Sequence, residues 1–160
     1  MRRPSGTAGL TMIELVVVMV IIGALSALGT SGWSSYQRTV EHRGSAQELV
    51  SALRNAQQAS LAEAVTYCVS FDTAARSYQA FKFACGASGV PSGSADTTQS
   101  SRVALVTPAF TQLNGSTASQ VSFFPRGSAT KGSVAVARQG SDRTYTVTVE
   151  GLTGRVALSQ

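Results

Sequence analysis

Residues 15–37 contain 23 consecutive side chains without a charge, and this run constrains the chain more than any other feature. At about 1.5 Å per residue a helix of that length spans roughly 34 Å, against a bilayer core of about 30 Å. Arg2 and Arg3 precede the run, and Trp33 and Tyr36 stand near its far end, where interfacial aromatics are expected. The pattern predicts a single membrane span with the N-terminus cytoplasmic and the remainder outside.

Glu14 sits at the lip of the span. A carboxylate abutting hydrocarbon is costly and calls for a partner or a purpose, and an ordinary secretory signal would not place one there. The alternative readings are a cleavable signal peptide with its site near Ala24 and Ser26, a twin-arginine signal built on Arg2-Arg3, and an unprocessed anchor.

Helical periodicity continues past the span. Ala46, Leu49, Val50, Leu53, Leu61 and Ala64 fall within about 60° of one line at 100° per residue, opposite Glu48, Asn55 and Ala62. One helix is therefore expected over residues 10–65, with an amphipathic half at 38–65. Gly23, Gly29, Gly32 and Gly44 weaken it by about 1 kcal/mol each. Some 95 residues, 66–160, remain for a head with one modest core.

Beyond residue 65 the period changes to two. Residues 66–71 and 77–84 read as a hairpin, and residues 86–101, rich in Gly, Ser and Thr, read as an exposed, mobile loop. Short strands are expected at 102–106, 120–124, 133–137, 144–149 and 155–158, separated by turns at Asn114-Gly115, Pro125-Arg126-Gly127, 139–142 and Leu152-Thr153-Gly154. Their spacing favours an antiparallel meander or small sandwich. The fold class is thus α+β, a long N-terminal helix packed on a small antiparallel head.

Cys68 and Cys85 are the only cysteines, and both lie on the side expected to be outside the cytoplasm. An even count in an oxidising compartment favours one disulfide; two buried thiols are the alternative. With a simple turn at 73–76, Cys68 faces residue 81 rather than 85, so the bridge requires a bulge, a longer turn or a bend.

The stretch Gly9-Leu10-Thr11-Met12-Ile13-Glu14, followed by the apolar run, resembles the type III signal of type IV pilins and pseudopilins. The resemblance implies cleavage between Gly9 and Leu10 by prepilin peptidase, N-methylation of Leu10, and a pairing of Glu14 with the amine of Leu10 on the same or a neighbouring subunit. It makes residues 1–9 a leader and residues 10–37 the membrane-spanning, filament-core half of the helix. The Phe124-Pro125-Arg126-Gly127 turn and the last strand opened by Gly154-Arg155-Val156 resemble the GspH/FimT-type minor pseudopilin family in particular. Ser31 stands where many major pilins carry a helix proline.

What the family implies is a subunit that assembles into or caps a type IV pilus or a type II secretion pseudopilus. Its expected partners are other pilin or pseudopilin subunits, prepilin peptidase, an inner-membrane assembly platform, and membrane lipid before assembly. DNA is the alternative partner, in an uptake pilus. Members that bind DNA carry Gly-Arg-x-Arg near the C-terminus, of which Gly154-Arg155-Val156-Ala157 keeps only the first arginine. Arg102, Arg126, Lys131, Arg138, Arg143 and Arg155 nevertheless give residues 102–160 a surplus of positive charge over Asp142 and Glu150, and Arg155, Arg126 and Arg143 are the candidate contacts. Over the whole chain the net charge is +5, and +3 without Arg2 and Arg3.

Catalysis has little foothold. His42 is the only histidine and lies on the helix, so any Ser-His-Asp or Cys-His set would have to use it. Metal-ligand spacing and a phosphate loop are absent. The expectation is a structural subunit without metal or cofactor.

Overall fold

A computed structural model describes residues 11–94, 96–97 and 102–160; the side chains of residues 27–35, 38 and 97 lie outside that description. Two compact units are present, Met1–Thr39 and Val40–Gln160, and one helix, α1 (Met12–Glu63), contributes to both.

In the first unit α1 begins at Thr11, whose carbonyl accepts the amides of Glu14 (3.0 Å) and Leu15 (3.2 Å) and whose hydroxyl accepts the Glu14 amide at 3.4 Å. Thr11-Met12-Ile13-Glu14 thus has the residues of a capping box, with Glu14 in the first turn where the helix dipole favours an acid. Among the described residues no helix is long and apolar enough to cross a membrane. The span expected at 15–37 runs on into residues 27–35, whose side chains are outside the described set.

In the second unit the helix is one-sided. His42, Ser45, Ala46, Leu49, Val50, Leu53, Ala56 and Ser60 are buried, a stripe at the 3.6-residue period. Leu61 and Ala64, expected on that face, are exposed. Leu61 lies about 100° from the centre of the observed stripe, and Ala64 has φ 54°, so the helix has already ended.

Two antiparallel sheets complete this unit. The first has the order β3 (Val90–Pro91), β2 (Ser77–Lys82), β1 (Tyr67–Asp72), β7 (Gln120–Phe123), with β4 (Asp96–Thr97) also pairing to β2. The second runs β10 (Val156–Ser159), β9 (Thr144–Val149), β8 (Gly132–Arg138), β5 (Val103–Thr111), β6 (Thr117–Ala118). The β1–β2 hairpin closes through Asp72, whose Oδ1 accepts the amides of Ala74 and Ala75, both at 2.9 Å.

Within the loop expected over 86–101, the described residues hold short elements. A single 3-10 turn spans Gly86–Ser88, and β3 and β4 each add two residues to β2. Two-residue strands have no readable period; the open edge of β2 recruits them. β5 also extends beyond the expected 102–106. Its register shifts between Val106 and Ala109, where Thr107 has φ 46° and Pro108 follows, so the alternation breaks mid-strand.

Leu49 and Leu53 of α1 join one cluster with Val69, Phe71, Phe110, Val121, Phe123, Val134, Val136 and Val147. The Phe71 and Phe110 rings stack at 5.5 Å between centroids. Opposite the β5 irregularity only glycine fits at position 132, since a Cβ there would collide with the Ala109 carbonyl oxygen.

Candidate assembly surfaces

Among the described residues, the apolar side chains of α1 from Met12 to Leu25 have no cover. From Met12 to Leu25 the large hydrophobics are exposed by 47% at Val18 to 87% at Met12. Glu14 is the one charge among residues 12–26. An apolar surface of this extent on a helix marks a contact surface. Gly9 and Leu10, the expected processing site, lie outside the described residues. Glu14 is described: its amide is capped by Thr11, a contact with a readable signal in the Thr-x-x-Glu spacing.

Cys68 and Cys85 are joined, with Cα atoms 5.3 Å apart. Cys68 pairs with Phe81 across the hairpin, as the simple turn requires. The bend that returns Cys85 comes from Phe83, at φ 72°, and the Phe83 amide is held by the Thr66 carbonyl at 2.7 Å.

At the end of α1 a second tie forms. Lys82 Nζ lies 2.7 Å from Glu63 Oε2, and the Tyr67 hydroxyl donates to Glu63 Oε1 at 2.9 Å. The hydrogen bond from Lys82, then that from Tyr67, hold the Glu63 carboxyl below its ordinary range; the Glu63 hydrogen bond holds the Lys82 amine above its own. Burial, with Glu48 and Asp96 nearby, pushes the Tyr78 phenol well above the ordinary tyrosine range.

The three candidate arginines do not form one patch. Arg126 and Arg155 are exposed on neighbouring turns: a Cβ at Gly154 would lie 2.7 Å from the Gly127 carbonyl oxygen. Arg143 is exposed at the other end of β9, six residues or roughly 20 Å away. Arg138, counted above with the basic residues of the tail, is only 6% exposed and faces Glu41 at 3.5 Å. His42 is also interior. Its Nε2 lies 2.9 Å from the Val136 carbonyl, which can only accept, so that nitrogen carries the proton, and the ring meets Tyr145 edge-on at 4.8 Å. Its histidine is thus a packing residue between α1 and β8.

Comparison with known proteins follows this geometry. Residues 45–153 match the family described as type II transport protein GspH. Among solved structures, the minor pseudopilin EpsH from the type 2 secretion system of Vibrio cholerae is similar at 16% identity and TM-score 0.58, covering 74% of this chain and 94% of that one. The type IV minor pilin FimU of Pseudomonas aeruginosa is similar at 13% identity and TM-score 0.58, covering 78% of this chain and 92% of that one. These two likenesses establish the fold. Curated proteins gave no match.

Proposed function

The chain belongs to the family of the type II transport protein GspH, a family of pilin-like structural subunits rather than enzymes, and from that membership we propose that it is a minor pilin or pseudopilin subunit. Prepilin peptidase cuts between Gly9 and Leu10 and methylates Leu10. The helix then waits in the cytoplasmic membrane, N-terminus inside and head outside, until an assembly platform draws it into or onto a filament of other subunits.

One observation carries this reading: a helix that is apolar and uncovered over residues 12–26 continues without a break into the buried stripe of a GspH-family head. Lipid covers the first part before assembly and neighbouring helices cover it afterwards. Glu14 is then left to choose register. At about 4 Å and an effective dielectric of about 20, its attraction to a Leu10 amine is about 4 kcal/mol before desolvation, so its effect falls on alignment more than on net stability. N-terminal sequencing of the mature protein tests the proposal. N-methyl-leucine at Leu10 is expected, and an N-terminus within residues 24–31 would overturn it.

A second reading, DNA binding in an uptake pilus, draws on the proximity of exposed Arg126 and Arg155. It predicts salt-sensitive retardation of DNA by residues 38–160 that Arg155→Ala weakens. Absence of retardation at low salt would remove it.

A further inference from the structure

The tips of two turns in the second unit carry leucines where polar residues would serve. Leu113 is 86% exposed and Leu152 is 94% exposed. Between them, Phe124 and Pro125 floor a cleft of about 610 Å³, with Arg126 at its side. Phe83, Leu113 and Phe124 line an adjoining hollow next to the disulfide, and Phe83 is 61% exposed although its backbone is in the left-handed region. An aromatic residue held there persists only where its surroundings enforce it; here the Cys68–Cys85 bridge and the Thr66 carbonyl do so.

The frame around these side chains is stiff. Gly127 and Gly154 both have positive φ, and their turns touch closely enough that a Cβ at Gly154 would collide with the Gly127 carbonyl. Gln57 of α1 donates to the Thr153 carbonyl at 3.2 Å, and the Ala129 amide donates to the Gly151 carbonyl at 2.8 Å. An uncovered apolar band on a preorganised frame is the anatomy of a protein-binding surface.

We propose that this cleft docks a segment of a different pilin-like subunit, one that offers an apolar side chain flanked by a carboxylate. Charge selects that occupant. Arg126 is the one charged residue that lines the cleft; Lys131 lines the adjoining hollow that shares Gly151 and Leu152 with it, and the acid there, Glu150, already accepts the Thr153 hydroxyl at 3.1 Å. A second copy docking face to face would set Arg126 and Lys131 against their own kind, and such like-charge contacts select against a partner. The inference rests on the subunit reading above and adds the place and the chemistry of the contact.

Photo-crosslinking in the intact, membrane-anchored protein tests it, with the reactive residue placed at Leu152 in one strain and at Val20 in another. Leu152 is expected to give adducts with one other pilin-like subunit of the same machine, identified by mass spectrometry on a segment containing Asp or Glu. Leu113→Asp in that background should cut the adduct at least tenfold without shifting the melting temperature. Arg126→Glu should do the same, and Arg in place of the partner's acid should restore it. Adducts at Val20 but none at Leu152 would overturn the docking site and leave the subunit reading intact; none at either position would overturn both. Leu152 adducts between two copies of this chain, or a yield indifferent to Leu113→Asp and Arg126→Glu, would also overturn it. So would loss of DNA retention in Arg126→Glu alone, with the adduct unchanged.

Discussion

Residues 12–26 and residues 42–60 belong to the same helix and are treated oppositely by the fold. In the first stretch every described side chain is exposed, although all but a few are apolar. In the second, Arg43, Gln47, Ser51, Arg54, Asn55 and Gln58 turn outward, and Ala46, Leu49 and Leu53 are sealed in one cluster with residues of both sheets. Helix formation therefore says nothing about where a segment's stability comes from. The second stretch draws on the core of its own chain; the first presents an apolar surface that no described residue covers.

Substitutions in the two stretches should separate the roles, and the largest effect is expected in the core. Leu53→Ala should lower the unfolding free energy of the head by about 2–5 kcal/mol in chemical denaturation, while Val20→Ala, at 66% exposure, should change it by no more than about 0.5 kcal/mol. Equal losses would break the comparison.

Next comes the disulfide. Replacing Cys68 and Cys85 together by Ala should cost the head about 3 kcal/mol, since the bridge closes a loop of 17 residues' separation, with the sedimentation of the full chain with membranes unchanged. A change in membrane association would mean that the two stretches are not independent.

The smallest effect lies at the end of α1. Because the Glu63 carboxyl is held below its ordinary range by Lys82 and then Tyr67, its contribution is complete above the unfolded value and fades as pH falls through the lower folded value. Unfolding curves below about pH 4.3 should therefore show an acid-side loss that Glu63→Gln abolishes. A Glu63 side chain titrating at or above the ordinary range by NMR would contradict this.

The same contrast explains what could be read from the sequence. The helix, the hairpin with Cys68 opposite Phe81, and the strands β7 to β10 follow from period and turn chemistry, because each is long enough to repeat. β3, β4 and β6, at two residues each, are defined by the neighbour they pair with. Leu61 and Ala64 fall off the buried face for different reasons: Leu61 lies about 100° around the helix from the observed stripe, and Ala64 lies beyond the helix end at Glu63. Glu14 stands out in the sequence by its charge, whereas the Thr11 cap has a pattern overshadowed by the uncharged run at 15–37. Arg138 shows the limit of counting charges: on a strand, its direction decided its fate, and it points inward toward Glu41. Leu152 enters the sequence reading only as a member of a turn and Leu113 not at all, since a turn motif does not reveal that an apolar residue in or beside it is left uncovered.

Removal of residues 1–37 tests the division of labour most directly. If residues 12–26 serve lipid and filament alone, the remaining chain, 38–160, should be recovered wholly in the soluble fraction with a cooperative melt like that of the intact protein's head, while the full chain stays with membranes after alkaline carbonate washing. A truncated chain that fails to fold, or a full chain that washes free, would contradict it.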